Sequence, residues 1–273
     1  MSAPKGLGLW IWILRHCNDG EPGEIVDRCK RSGVSWVTIK SGDSDANGQV
    51  TRGLVEALRA GGLGVYTWNY SIPGTCDRQI AQIDRLYTDV GVDGHFLDAE
   101  IEWEQHGDRR AEARDFMRRL RGVIGSDRWL AHAPWWLPTA HPTYPWAEFG
   151  EATDAQCPQV YWTMLPPEQS GRWMIDYSEV GWERLAKGTP GAVSLRSPIG
   201  SVFHGDHRNG VKNGQIVRPE DVEFFLARCE THAREVPFWS LYSYDACPPE
   251  IWAHLESRVP ARSPPTSPST AAA

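Results

Sequence analysis

The stretch VDGHFLDAEIEWE, residues 92–104, is the most informative part of this 273-residue sequence. A short apolar run ends in two carboxylates, Asp98 and Glu100, that are separated by one residue. Successive side chains of a strand point to opposite faces, so Asp98 and Glu100 would share one face and Leu97 the other. Because an unpaired buried charge is costly, carboxylates at the end of a buried strand suggest a functional site.

Strand-like and helix-like segments alternate along the chain around this stretch. The apolar, β-branched or aromatic segments predicted as strands are 8–14, 36–41, 64–70, 95–100, 129–134, 156–162, 192–198 and 237–243. The amphipathic segments predicted as helices are 24–32, 51–60, 77–90, 109–124, 173–186, 219–234 and 248–258, and the Pro- and Trp-rich connection 134–148 is the least helical. Eight βα units in about 250 residues predict a (β/α)₈ barrel, the TIM-barrel class of α/β fold. A doubly wound sheet is the alternative, but no Gly-rich phosphate turn follows the first strand.

The predicted barrel accounts for residues 1–259 as a single domain. The remaining segment, residues 260–273 (PARSPPTSPSTAAA), is rich in Pro, Ser, Thr and Ala and lacks aromatic residues. Such a composition cannot bury a core, so we expect a disordered tail or a linker.

The composition narrows the classes of partner. Hydrophobic residues make up 41% of the chain and charged residues 23%, which is typical of a soluble globular protein. The net charge of −7 and the lack of a Lys/Arg-rich run argue against nucleic-acid binding. The first residues contain no apolar run long enough for a signal peptide or a membrane span. We therefore expect a monomer without membrane contact that is cytoplasmic or released from the cell.

No metal or organic cofactor is predicted. The six cysteines show no CxxC pair, and we expect free buried thiols rather than disulfides or a zinc site. His204, Asp206 and His207 follow the predicted seventh strand and could ligate a metal together with His132. A metal-dependent hydrolase is therefore an alternative function, although a solvated loop is the simpler interpretation.

The two carboxylates suggest acid–base chemistry. Two carboxylates this close in a low-dielectric site cannot both ionise freely, so one pKa rises. The outer one, Glu100, would then hold a proton at neutral pH and act as a general acid. The alternative is a structural ion pair with a barrel Lys or Arg, such as Lys40 at the end of the predicted second strand. We also place Lys40 among the substrate-binding residues.

The segment from Asp93 to Glu100 resembles a known signature. Its pattern DGxxxDxE is similar to the DGxDxDxE motif of glycoside hydrolase family 18 chitinases, which ends their fourth barrel strand. Its last two acidic positions also resemble the Asp-x-Glu of family 25 lysozymes. The chitinase resemblance implies that Glu100 is the acid and that Asp98 orients the substrate's N-acetyl group, which itself attacks the anomeric carbon.

Two further positions extend this resemblance. Chitinases carry a Tyr at the end of the sixth strand that binds the N-acetyl oxygen, and the run PQVYW offers Tyr161. They carry a Trp on the eighth strand beneath the sugar, and the run FWSLYSYDA offers Trp239. Both runs also resemble a group of bacterial and phage barrel proteins. Two features depart from the families: Phe96 stands where the chitinase motif has its central Asp, and the first strand lacks the Asp of family 25 lysozymes.

Aromatic residues gather near the predicted strand ends. The chain has 14 tryptophans, and the aromatic residues at or just past predicted strand ends are Trp12, Trp68, Trp103, Trp135, Trp136, Trp162, Tyr242 and Tyr244. A mouth ringed with such residues suits a glycan, and we place Trp12, Trp68, Trp135 and Trp162 among the substrate-binding residues. The alternative for each is ordinary core packing. Asp245, just past the eighth strand, is either a further functional carboxylate or a turn cap.

Together these features predict a glycosidase of the lysozyme or chitinase kind. Its substrate would be an N-acetylhexosamine polymer, with peptidoglycan the first candidate and chitin-like material the second. A barrel that binds glycan without cleaving it is the second hypothesis, and Phe96 favours it.

Overall fold

One continuous, mainly parallel sheet forms the centre of the computed structural model, which describes residues 3–105, 107–166, 169–193, 195–205 and 214–260. Its strands are β1 (Gly6–Ile11), β2 (Val34–Asp43), β3 (Asp45–Ala46), β4 (Gly64–Ser71), β5 (Gly94–Ala99), β6 (Trp129–His132), β7 (Ala155–Gln156), β8 (Gln159–Val160), β9 (Ile199–Ser201) and β10 (Phe238–Tyr242). They lie in the order β7-β6-β5-β4-β2-β1-β10-β9-β8, and all neighbours in this order are parallel. The short β3 pairs with β2 in the antiparallel direction.

The sheet closes on itself through its sixth parallel segment. The two ends of the strand order, β7 and β8, are halves of one strand that is interrupted at Cys157 and Pro158. The Cys157 N–H donates to the His132 carbonyl at 2.7 Å, and the Ile199 N–H donates to the Pro158 carbonyl at 2.8 Å. The interrupted strand is thus bonded on both sides, and the predicted (β/α)₈ barrel is confirmed. Proline has no N–H to give to the ladder, which explains the interruption.

The described helices follow the strands in the expected alternation. They are α1 (Pro22–Arg31), α2 (Arg52–Ala60), α3 (Cys76–Arg85), α4 (Arg110–Ile124), α5 (Trp146–Gly150), α6 (Gly171–Gly188), α7 (Pro219–Thr231) and α8 (Pro249–Arg258). Prolines begin α1, α7 and α8, where the missing N–H is harmless. The connection predicted to be least helical contains a 3-10 turn at Pro138–Ala140 and the short α5. Among these helices none is both long enough and apolar enough to cross a bilayer.

The seventh barrel strand begins later in the sequence than predicted. We expected it at residues 192–198, but β9 starts at Ile199, directly after Pro198. Within the predicted range, Arg196 makes only an isolated bridge to Gln156. The physical reason is again that a proline cannot donate to a central ladder, so regular pairing starts after it.

The barrel interior is packed with aromatic rings. Phe96 of β5 is fully buried, and its ring stacks on Trp36 with the centroids 5.7 Å apart and the planes 7° apart. Its centroid is also 4.8 Å from that of Trp129. A Cβ added to Gly8 would lie 2.1 Å from the Trp36 ring, so only glycine fits at that position of β1. The floor of the barrel is therefore apolar directly below Asp98.

All six cysteines are free thiols in the structure. Four of them (Cys17, Cys29, Cys157 and Cys229) are buried and the other two are partly buried. Burial raises the pKa of the Cys29 thiol to about 12, which keeps it protonated and unreactive at neutral pH.

Candidate active site

The predicted carboxylates lie together at the C-terminal end of β5. Leu97 and Ala99 pack in the outer apolar layer, so Asp98 and Glu100 face the barrel interior, as the alternation predicts. The two carboxyl groups are hydrogen-bonded to each other. Because a hydrogen bond between two carboxyl groups needs a proton, the pair holds one proton between them.

A glutamine from β8, two barrel strands away from β5, joins the pair. The Gln159 Nε2 lies 2.8 Å from Asp98 Oδ1, 2.8 Å from Glu100 Oε1 and 3.0 Å from the Ala133 carbonyl oxygen. All three partners are acceptors, so the amide nitrogen is the group that faces them. Sequence analysis did not assign Gln159 to the site. The available signal was its position two residues before Tyr161, on the same face of the strand.

Burial raises the pKa values of both carboxyls, and the prediction that Glu100 holds the proton stays a prediction. Burial raises the pKa of Asp98 well above its usual range, and the charge of Glu100 and the hydrogen bond between them raise it further. Burial also raises the pKa of Glu100, but hydrogen bonds from Gln159 and Asp98 oppose this rise. The two carboxyls therefore do not both ionise as readily as exposed carboxyls do.

Lys40 lies at the mouth without pairing directly to the carboxylates. Its Nζ is 2.6 Å from Asp43 Oδ1 and lies 5.7 Å and 5.1 Å from the ring centroids of Trp12 and Trp68. The expected alternative, a structural ion pair between Lys40 and the carboxylates, is therefore wrong. Its positive charge nevertheless lowers the pKa of Asp98, against the rise caused by burial.

Tyr161 reaches the site as predicted for its strand. It follows β8, and its ring centroid lies 5.3 Å from that of Tyr242 and 5.7 Å from that of Phe203. Burial raises the pKa of Tyr161 well above its usual range, and the nearby Tyr242, Asp98 and Glu100 raise it further. The hydroxyl thus stays protonated beside the carboxylate pair and can donate a hydrogen bond.

Two tryptophans predicted at the mouth face the helices instead. Trp162 is 1% exposed, and its ring lies 5.4 Å from Phe225 of α7. Trp239 lines a cavity of about 440 Å³ between the sheet, α6 and α7. Both predictions are wrong for the same reason, since neighbours on a strand face opposite ways: Tyr161 points inward, so Trp162 cannot.

Tyr242 takes the position expected of Trp239. It lies on the same face of β10 as Phe238, which belongs to the interior aromatic cluster. Its ring centroid is 6.3 Å from that of Trp68 and 6.4 Å from that of Trp10. The aromatic residue that β10 presents to the mouth is therefore this tyrosine.

Trp12, Trp68 and Asp245 have different roles at the rim. Trp12 is partly buried, and its backbone N–H donates to Asp245 Oδ1 at 3.2 Å, so Asp245 links the chain after β1 to the chain after β10. Trp68 is only 3% exposed, and its Nε1 donates to the Ile11 carbonyl at 3.0 Å. Trp68 thus serves mainly as barrel packing, whereas Trp12 keeps an accessible surface.

The side of the rim beyond β5 and β6 is held by polar contacts. Trp135 stacks on His141 with the ring centroids 4.6 Å apart and the planes 3° apart. The His141 Nδ1 lies 2.6 Å from Glu104 Oε2. The Tyr70 hydroxyl donates to Glu102 Oε2 at 2.5 Å. These contacts fix an aromatic and acidic edge next to the carboxylate pair.

His132 and His204, the two described residues among those considered for a metal, have separate hydrogen-bond partners. His132 faces the helices, where its Nε2 lies 2.7 Å from the Tyr144 hydroxyl and burial lowers its pKa to about 3. His204 accepts a hydrogen bond from a backbone N–H at 3.2 Å. Asp206 and His207 lie outside the described residues. Within the part of the chain that the structure describes, no group of three or more His, Cys, Asp or Glu side chains could hold a metal ion.

Solved structures share this fold. The sequence itself matches no protein-family model and no curated protein. The chain is similar to a chitinase from Chromobacterium violaceum ATCC 12472, with 13% identity, a TM-score of 0.62 and coverage of 93% of this chain and 98% of that one. A class V chitinase from Pseudomonas fluorescens Pf-5 has 13% identity, a TM-score of 0.62 and coverage of 93% and 99%. The spore cortex-lytic enzyme of Bacillus megaterium QM B1551 has 8% identity, a TM-score of 0.59 and coverage of 92% and 73%. The chain therefore has a chitinase-like barrel fold.

Proposed function

We propose that this protein is a glycoside hydrolase that cleaves an N-acetylhexosamine polymer, with peptidoglycan the first candidate and chitin-like material the second. The observation that carries the proposal is the proton-sharing pair Asp98 and Glu100, held by Gln159 at the barrel mouth. Active sites of such barrels lie at this end of the strands. The names of the similar structures, two chitinases and a cortex-lytic enzyme, support a glycan as the substrate.

The geometry suits substrate-assisted hydrolysis. Asp98 passes its proton to Glu100 through their shared hydrogen bond, and Glu100 donates it to the glycosidic oxygen. As that bond to the anomeric carbon breaks, the substrate's acetamido oxygen forms a new bond to the same carbon. Asp98, now ionised, accepts a hydrogen bond from the acetamido N–H, and Tyr161 donates one to the acetamido oxygen. Water then attacks the anomeric carbon as the bond from that carbon to the acetamido oxygen breaks, and the proton that the water loses passes to Glu100, so the shared proton of the pair is restored.

The walls of the mouth are suited to a sugar. Partly buried aromatic rings, Trp12, Trp135 and Tyr242, present flat apolar surface around the carboxylates. Such rings bind the C–H faces of sugars, while a few convergent polar groups orient the ligand. The apolar floor at Phe96 excludes water beneath Asp98, which strengthens electrostatic interactions within the site.

A glycan-binding barrel without catalysis is the second candidate. Phe96 favours it, because a buried phenyl ring stands where the resembling chitinase motif has a further carboxylate. The proton relay then has two carboxylates instead of three. The retained pair of Asp98 and Glu100 favours the hydrolase, since a binding site alone does not need a buried acid that shares a proton.

The deciding experiment compares the parent with Glu100→Gln. Both are incubated with peptidoglycan and with chitin oligosaccharides, and the products are read by mass spectrometry. We expect the parent to release fragments and Glu100→Gln to do so about 10²- to 10⁴-fold more slowly, because the variant cannot transfer a proton. Glu56→Gln, an exposed position on α2, is the matched control and should keep the parental rate.

The outcomes separate the two candidates. Parental rates in Glu100→Gln would show that this carboxylate is not the acid. If the parent binds glycan but releases no product, and Glu100→Gln binds equally well, the binding barrel is correct and the hydrolase is not.

A further inference from the structure

Exposed apolar side chains concentrate on one helix, away from the carboxylate pair. Three of the five large hydrophobic residues that are exposed among the described residues lie on α6: Trp173, Tyr177 and Val180. Their spacing of four and three residues puts them on one face of the helix. Single exposed apolar residues are ordinary on a protein surface, but a contiguous stripe indicates a binding surface.

Two rings of this stripe form an ordered stack. The Trp173 and Tyr177 centroids are 5.1 Å apart and their planes differ by 13°. Trp136, from the loop after β6, lies across them, with its centroid 6.0 Å from that of Trp173 and 6.4 Å from that of Tyr177. We call Trp136, Trp173 and Tyr177 the aromatic platform. Trp173 is 46% exposed and Tyr177 36%, so the rings keep accessible surface.

The platform is held in place by hydrogen bonds beneath it. The Trp136 carbonyl accepts a hydrogen bond from Ser178 Oγ at 2.7 Å and another from Trp182 Nε1 at 3.1 Å. Both donors are on α6, so the loop that carries Trp136 is fixed to the helix that carries the other two rings. A surface that is already ordered loses little conformational entropy when it binds a ligand.

The platform continues the rim of the proposed site. Trp136 directly follows Trp135, whose ring stacks on His141 at the rim. The backbone of Trp135 forms a parallel bridge with Gln159, the residue that holds both carboxylates. A polymer that leaves the mouth on this side therefore meets the aromatic platform next.

We propose that the aromatic platform is a second glycan-binding site, which holds the polymer outside the catalytic mouth. Flat, stacked rings suit the flat apolar face of a sugar ring. A second copy of the chain is a poorer occupant, because a stable protein interface buries about 800 Å² on each partner, far more than two rings and a valine offer. The choice of glycan as ligand rests on the proposed function, but the platform would bind whether or not the mouth cleaves.

The test measures binding and cleavage separately. Parent and the double variant Trp173→Ala/Tyr177→Ala are co-sedimented with insoluble peptidoglycan and insoluble chitin, and cleavage of a short soluble chitin oligosaccharide is followed in parallel. We expect the double variant to bind the polymer on the order of tenfold more weakly. Its cleavage of the short oligosaccharide should stay at the parental rate. Val123→Ala, which removes an exposed apolar side chain on α4, should bind like the parent.

Conservative variants distinguish ring stacking from general hydrophobicity. Trp173→Tyr keeps a flat ring and should keep polymer binding, whereas Trp173→Leu keeps an apolar side chain and should bind the polymer more weakly. Equal polymer binding by these two variants would overturn the stacking proposal. Thermal unfolding of each variant checks that the fold is kept.

The remaining outcomes are equally decisive. Unchanged polymer binding by the double variant would overturn the platform. Self-association of the parent in analytical ultracentrifugation that the double variant abolishes would identify a second copy as the occupant and also overturn it. Platform-dependent binding by a parent that cleaves nothing would support the platform while the proposed hydrolase fails. If the parent cleaves glycan but the double variant binds the polymer as well as the parent does, the proposed hydrolase is supported and the platform is overturned.

Discussion

Asp98 and Glu100 carry the same functional group but have different surroundings. Asp98 lies two residues beyond the buried Phe96 on the same strand face, whereas Glu100 lies nearer the rim. Burial therefore raises the pKa of both carboxyls, and hydrogen bonds from Gln159 and Asp98 oppose the rise at Glu100. In the proposed mechanism the outer carboxyl, Glu100, delivers the proton that the pair shares.

The positive charge of Lys40 limits the rise in the pKa of Asp98. Lys40→Met removes its charge, so the pKa values of the carboxylate pair should rise and the pair should keep its proton to higher pH. We expect the bell-shaped pH profile of kcat/KM to move to higher pH on both limbs. The profile is measured with a chitin oligosaccharide.

The control for this variant is Lys5→Met, which removes the same charge from an exposed position outside the barrel mouth. It should leave the profile unchanged. A folded Lys40→Met protein with the parental profile, or one shifted to lower pH, would show that Lys40 does not act on the pair.

At the scale of the element, strand alternation accounts for both the successes and the errors. On β5 it places Asp98 and Glu100 inward correctly, because the strand is regular up to its end. After β8 the prediction chose Trp162, which is one residue away from the inward-facing Tyr161. On β10 it chose Trp239, which is one residue away from the inward-facing Phe238. A shift by one residue exchanges the two faces of a strand, so a correct strand can still carry a wrong site residue.

Phe96 belongs to the aromatic core of β5 and its neighbours. Phe96→Ala should lower the free energy of unfolding by about 3–5 kcal/mol, since it leaves a cavity among the rings of Trp36 and Trp129. Phe96→Asp, which restores the residue of the resembling motif, should cost more because it buries a charge among aromatic rings. Chemical denaturation measures both.

The exposed Val123→Ala is the reference substitution, and we expect a change within about 0.5 kcal/mol of the parent. A Phe96→Asp protein as stable as the parent would mean that the interior can solvate or pair a carboxylate at this level. The three-carboxylate relay of the resembling motif would then fit this barrel.

At the scale of the whole molecule, the closed sheet also creates a buried polar layer behind its strands. The His95 Nδ1 lies 2.8 Å from Thr67 Oγ1 and its Nε2 lies 2.7 Å from Asn69 Oδ1. Burial lowers the pKa of His95 to about 3, so the ring is neutral in the folded protein. In the unfolded chain the same ring has a pKa of about 6.5.

This difference predicts a specific loss of stability in acid. Between pH 6.5 and pH 3 the His95 ring is protonated in the unfolded state but not in the folded state. Its contribution to the free energy of unfolding is therefore complete above about pH 6.5 and falls as the pH drops. The parent should be more stable than His95→Gln at pH 7, and the gap between their free energies of unfolding should narrow by about 1.4 kcal/mol per pH unit below pH 6. Urea unfolding at pH 7, 6, 5 and 4 measures the gap. A gap that does not depend on pH would contradict a neutral buried ring.

The sequence by itself determined the barrel and the inward direction of Asp98 and Glu100. Both follow from local rules: the alternation of apolar strands with amphipathic helices, and the two-residue period of a strand. These rules need no knowledge of which strands become neighbours.

Only the tertiary structure decided which residues meet that pair. Gln159 approaches it from β8, Tyr242 replaces Trp239 on β10, and Lys40 pairs with Asp43 rather than with the carboxylates. The register between strands far apart in sequence is set by packing and closure of the whole sheet. The raised pKa of Asp98 has the same origin, since the burial of Asp98 depends on aromatic rings contributed by other strands.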